Sequence, residues 1–81
     1  MTIQIFLFGP ARLVAGLSES TIEVPEGCRV RQAAEILFGK WPSLRPVATQ
    51  LRYAVDEEYA ELEAVLHPGQ TLALIPPVEG G

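Results

Sequence analysis

"RVRQAAEILFGKWP", residues 29–42, is the one long stretch of the chain with a helical period. Val30, Ala33, Ala34, Leu37 and Phe38 recur at i, i+3, i+4, i+7 and i+8, which gathers them on one helical face. The spacing predicts a helix stopped by Gly39 and Pro42. Its start offers Cys28 or Arg29 where Ser, Thr, Asp or Asn would cap best, an expected penalty of about 1 kcal/mol. The flanking segments read as short strands, and one helix cannot cover both faces of a sheet. The fold class is therefore α+β, with one main helix packed on one face.

On the N-terminal side, residues 2–8 ("TIQIFLF") are β-branched and aromatic and read as a strand. Ile3, Ile5 and Leu7 fall on one face; Gln4, Phe6 and Phe8 fall on the other. Apolar residues on both faces point to a central strand, or to one with a partner on its outer face. Residues 9–18 ("GPARLVAGLS") read as a loop opened by Gly9-Pro10, and residues 20–27 ("STIEVPEG") as a strand with Ile22 and Val24 inward. On the C-terminal side, "PSLRPVATQ" (42–50) reads as an irregular connection. "LRYAVDEEYAEL" (51–62) reads as a strand, a tight turn at Asp56-Glu57 and a short return strand. After a turn in "VLHPGQ" comes a last strand, "TLALIP" (71–76), with Leu72 and Leu74 on one face and Thr71, Ala73 and Ile75 on the other.

The first and last strands are the most apolar, which places them side by side in the centre. The first two strands pair as a hairpin, and a right-handed crossover through the helix carries the chain to the far side. The result is a β-grasp arrangement, a mixed five-stranded sheet in a single domain over residues 1–81, with 76–81 as an extended tail. Phe6, Phe8, Ala73 and Ile75 then share the sheet face opposite the helix. They read either as a partner-binding surface or as core beneath a loop.

Composition narrows the function classes. With 81 residues there is room for one domain, and 48% hydrophobic content supplies one modest core. A single Cys and a single His supply neither a disulfide framework nor a His/Cys metal cage, so no metal site is expected. The lone thiol fits a reducing compartment, which makes the cytoplasm the expected location. No run reaches the ~20 apolar residues of a membrane span, and the N-terminus lacks the basic segment and cleavage site of a signal peptide. The net charge is −4 and the six basic residues are scattered singly, which argues against nucleic acid. It also argues that cations for any anionic substrate come from a partner.

The chain closes on "PPVEGG", residues 76–81. A stiff Pro76-Pro77 pair holding out Gly80-Gly81 is either a frayed end or a presentation device for the terminal carboxylate. The prolines fix φ, offer no N–H to continue a strand and favour an extended polyproline conformation. The six residues reach at most ~20 Å, enough to bury the tip in another protein. Gly80 and Gly81 lack a Cβ and fit a narrow channel, and Val78 is the one apolar anchor on the segment.

With the tail in place, the chain resembles ubiquitin and its sulfur-carrier relatives, and among these the small subunits of molybdopterin synthase. The resemblance rests on Phe8 and Arg12 in "LFGPARLV", on "YAVDEEYAEL" (53–62), and on "LIPPVEGG" (74–81) after "PGQTLAL". It covers essentially the whole chain. Leu13, Asp56 and Glu79 depart from the residues most frequent at those places.

What the resemblance implies is specific. An ATP-dependent adenylating enzyme of the ubiquitin-activating type makes an acyl-adenylate on Gly81, because an ionised carboxylate is a poor electrophile. A sulfur donor protein then leaves a thiocarboxylate there. The thiocarboxylate gives its sulfur to a cyclic, phosphate-bearing pterin in complex with the large synthase subunit, as a heterotetramer. The small subunit alone is a carried group, not a catalyst, with no permanently bound cofactor; ATP belongs to the activating enzyme. Gly81 is then the reactive residue. Gly80, Val78, Pro77, Pro76, Phe8, Phe6, Ile75, Ala73 and Arg12 are expected to bind partners. Rival readings are a sulfur carrier for thiamine or tRNA thiolation, a ubiquitin-like modifier joined to lysines through Gly81, and a β-grasp binding module with an inert tail. Elsewhere, Cys28 reads as a small buried residue, His67 as part of a turn and Trp41 as core closing the helix end. Asp56, Glu57, Glu58, Glu61 and Glu63 read as a solvated acidic face, or as a docking surface for a basic partner.

Overall fold

In the computed structural model, which describes residues 1–77, the elements run β1 (Thr2–Leu7), α1 (Pro10–Ala15), β2 (Glu19–Glu23), α2 (Val30–Lys40), a 3-10 helix (Pro42–Gln50), β3 (Arg52–Val55), β4 (Glu58–Ala60) and β5 (Thr71–Ile75). The five strands form one sheet in the order β2-β1-β5-β3-β4. β1 and β5 are the parallel central pair, with Phe6 opposite Ala73 and Leu7 opposite Leu74. The other pairings are antiparallel. This is the β-grasp topology expected from the alternation of the first and last strands.

The core lies between the sheet and α2. Ile3, Ile5 and Leu7 of β1 and Leu72 and Leu74 of β5 are fully buried on the helix side. The whole stripe Val30, Ala33, Ala34, Leu37 and Phe38 is buried against them. Each fully buried Val, Leu, Ile or Phe contributes about 1.5–3 kcal/mol, which outweighs a helix propensity difference of at most ~1 kcal/mol per residue. Packing, not propensity, therefore holds α2.

Three local expectations change. Residues 10–15, read as loop, form the six-residue α1. The Gly-Pro read as a breaker is a helix start, because Pro at the first position has no N–H to leave unpaired. Ala11 is buried, Ser43 Oγ donates to the Val14 carbonyl at 2.9 Å, and Gly16 (φ 76) closes the helix by donating its N–H to the Arg12 carbonyl at 3.0 Å. Tertiary contact thus sustains a helix too short to stand alone. Residues 42–50 wind into the 3-10 helix around buried Leu44. Gly39 does not stop α2, which runs to Lys40 and ends where the Trp41 N–H bonds the Leu37 carbonyl at 2.8 Å.

The missing cap of α2 is compensated in space. The Arg29 N–H donates to Gln32 Oε1 at 2.9 Å, the side-chain half of a capping box. The Val30 and Arg31 N–H groups, which have no intrahelical partner, donate to the carbonyls of Ala64 (2.9 Å) and Leu62 (2.8 Å). The segment before β5 does the work of a capping side chain.

Candidate functional site

The site is built where β5 ends. The Phe8 N–H donates to the Leu74 carbonyl at 3.0 Å, which extends the β1–β5 ladder to the last turn of pairing. Pro76 and Pro77 follow, both exposed, and neither has an N–H with which to prolong the sheet. Gly9 lies against this root. A Cβ there would come within 3.1 Å of Pro76 Cγ, and the backbone has φ 55, a left-handed value that favours glycine. Gly9 was missed as a site residue from the sequence, where Gly-Pro signals only a break. The contact with Pro76 depends on a pairing 67 residues apart along the chain. Val78, Gly80 and Gly81 lie outside the described residues.

Beside the root, the sheet face opposite α2 is uncovered. The register aligns Phe6, Ala73, Ala54 and Tyr59 in one row across β1, β5, β3 and β4. Ile75 lies one row nearer the tail, opposite Arg52. Phe6, Ala73 and Ile75 are half-buried, and Phe8 is 48% exposed. Phe6, Phe8 and Ala73 line a shallow depression of about 490 Å³ together with Asp56, Glu57 and Thr71. Ile75 shares the face but does not line the depression. Arg12 stands apart, exposed on α1. Tyr59, 66% exposed, joins the apolar row and was not singled out from the sequence; the return strand was too short to assign its faces.

The acidic segment is not uniformly a solvated face. Asp56 Oδ1 accepts the Thr71 N–H at 2.8 Å and the Thr71 hydroxyl at 3.3 Å, and Oδ2 accepts Gln70 Nε2 at 3.3 Å. Its carboxylate ties the β3–β4 turn to the start of β5. Asp56 and Glu57 both have positive φ (48 and 71), the pair of left-handed residues that a two-residue hairpin of matching twist requires. Glu63 pairs with Arg31 at 2.6 Å. Among the described residues Glu57 makes no ion pair.

Titratable groups elsewhere are structural. Cys28 is 2% exposed, and its thiol donates to the Arg29 carbonyl at 3.3 Å. Burial pushes the thiol pKa up, partly offset by a hydrogen bond from the Ala33 backbone. A buried, protonated thiol is a poor nucleophile. Burial, with the nearby Glu35 carboxylate, also pushes the Tyr53 phenol up. His67 closes a turn with Gln70 through bonds of 2.7 and 3.2 Å, and half-buried Trp41 packs on the core. Among the described residues no group of three or more His, Cys, Asp or Glu could hold a metal ion, and no helix is long and apolar enough to cross a membrane.

A mixed sheet in this order, grasping one main helix and sending an exposed proline-led strand end past an open apolar face, defines a ubiquitin-like β-grasp protein. Within that class the chain belongs to the ThiS family, whose profile matches residues 5–81. A molybdopterin synthase sulfur carrier subunit from Arabidopsis thaliana is 34% identical over 79 residues, covering 98% of this chain and 82% of the relative. The crystal structure of small archaeal modifier protein 1 from Haloferax volcanii superposes with a TM-score of 0.87 at 26% identity, over 95% of this chain and 98% of that one. A chain of the complex of subunits 1 and 2 of the molybdopterin-converting factor from Helicobacter pylori 26695 matches with a TM-score of 0.73 over 100% of both chains. At 20% identity that is a likeness of fold.

Proposed function

We propose that this chain is the sulfur carrier subunit of a molybdopterin synthase. Gly81 is adenylated by an ATP-dependent enzyme of the ubiquitin-activating type, with loss of pyrophosphate. Sulfur at the hydrosulfide level, delivered by a donor protein, then displaces AMP and leaves a thiocarboxylate. Within a heterotetramer with the large subunit, the thiocarboxylate sulfur passes to the cyclic pterin monophosphate. The chain carries sulfur and leaves the catalytic groups to its partners, in the cytoplasm. It needs no cofactor of its own beyond the ATP consumed in activation.

The observation that carries this reading is the Pro76-Pro77 root at the end of β5, exposed beside an open apolar sheet face, in a chain of the ThiS family. A tail that leaves already extended loses less entropy on insertion, at about 1–2 kcal/mol per backbone residue otherwise ordered. The net charge of −4, with six basic residues scattered singly, supports leaving the phosphate-binding cations to the large subunit. Likeness to a small archaeal modifier protein favours a second reading, attachment of Gly81 to lysine amines. Intact mass after incubation with host extract and ATP tests both. A sulfur-for-oxygen shift supports the carrier, an attached protein supports the modifier, and an unchanged mass refutes both.

A further inference from the structure

The open face carries its charge unevenly along β5. At the strand's start, Asp56 and Glu57 rim the depression whose floor includes Phe6 and Ala73. At its end, Ile75 is paired with Arg52, and the tail departs. Asp56 spends its oxygens on neutral donors of Thr71 and Gln70, which leaves its charge uncompensated. Neither Asp56 nor Glu57 meets a cation within ion-pair distance among the described residues. The five residues of β5, at ~3.3 Å each, separate this acidic rim from the tail root by roughly 13–17 Å.

We infer that the depression receives an apolar side chain of the large subunit flanked by a lysine or arginine that sits over Asp56 and Glu57. The inference rests on the proposed function and names the partner chemistry of that docking face. The apolar floor supplies burial, and it tolerates sliding because alanine and phenylalanine surfaces lack direction. The rim removes that freedom: a cation held at the start of β5 sets the register, so that the tail leaving the other end points one way. It also separates two positive sites on the partner. One holds the phosphate near the tail tip, and the other matches the rim more than a strand's length away.

Charge reversal at the rim is the test, with the full chain titrated against the large subunit from the same source. Glu57→Lys keeps an exposed turn residue and places no bulk in the core. It is expected to weaken binding about tenfold at low salt, chiefly through slower association, with the difference shrinking at high salt. Glu58→Lys makes the same net-charge change on β4, outside the depression, and is expected to bind within about twofold of wild type. Replacing the partner's basic residues by Glu one at a time should yield one variant that restores binding to Glu57→Lys while impairing the wild type. Equal effects of Glu57→Lys and Glu58→Lys, or the absence of any rescuing partner variant, would overturn the inference and leave the carrier reading intact. Failure of the wild-type chain to bind the large subunit would overturn both.

Discussion

Replacing Phe8 by Asp measures what the open face contributes to assembly. Phe8 is 48% exposed, so about half of its surface is left for a partner to cover. Full burial of a phenylalanine is worth up to ~3 kcal/mol, which leaves about 1 kcal/mol for the remaining half. An aspartate there also brings an unpaired carboxylate into a closing interface, at a further ~1–3 kcal/mol. Asp56 and Glu57 line the same depression and add repulsion. The sum is about 2–4 kcal/mol, a loss of roughly 30- to 800-fold in affinity. Within the free domain the change removes only the half of Phe8 already buried, about 1 kcal/mol, which lowers Tm by ~4–8 °C without unfolding the chain. Titration calorimetry against the large subunit reads the first quantity and a thermal melt followed by circular dichroism reads the second. Ile36→Asp is the control. Ile36 is 37% exposed on α2, on the other side of the sheet, and should leave affinity unchanged. Wild-type affinity in Phe8→Asp would refute the docking face. A chain that no longer folds would show that the face belongs to the domain's own core.

Deleting Gly81, or adding one residue after it, is expected to abolish thiocarboxylate formation by intact mass while leaving the melting curve unchanged; sulfur loading of the extended chain would refute the role of the terminus. Cys28→Ala is expected to accept sulfur as the wild type does, because the buried thiol is not on the transfer route; loss of loading in a folded variant would contradict this. Since burial raises both the Cys28 and Tyr53 pKa values, the folded state favours their protonated forms. Their contribution to stability is complete below the ordinary thiol value of about 8.5 and is lost as pH rises through the folded-state values. Cys28→Ala and Tyr53→Phe should each flatten the alkaline limb of stability against pH in urea titrations, and unchanged limbs would show that burial does not perturb these groups. Asp56→Ala should destabilise the chain by about 1–2 kcal/mol through loss of the Thr71 and Gln70 bonds, and Asp56→Asn, which keeps one acceptor and tolerates positive φ, by less than about half of that; equal urea midpoints for the two would deny the bonds their role.

Periodicity made the framework legible. The stripe from Val30 to Phe38 and the alternation of Ile3, Ile5, Leu7 and of Leu72, Leu74 are one-dimensional consequences of 3.6- and 2-residue repeats, so the helix, the central strands and their buried faces follow from the order of residues alone. The tight turn at Asp56-Glu57 was legible between two strand-like runs; its left-handed conformation was not, because nothing in a glutamate favours positive φ and the two-residue connection between paired strands imposes it. That the sheet stops at Ile75 was legible in Pro76-Pro77, whose missing N–H groups act wherever they stand. Other features are made by residues far apart in the chain. The first turn of α2 is capped by the carbonyls of Leu62 and Ala64, which no local motif announces. Helix α1 exists because Ala11 finds the core and Ser43 meets Val14, a gain that outweighs the cost of nucleating six residues. Gly9 touches Pro76 only because β1 and β5 lie side by side. Asp56, legible as one of five carboxylates, was singled out from Glu57 only when β5 brought Thr71 to it. Residue order decided which faces are apolar. The single long helix, also legible, already implied that one of them goes uncovered; tertiary structure decided which residues meet there, because only the strand register brings Phe6, Phe8 and Ala73 together with Asp56, Glu57 and Thr71 in one depression.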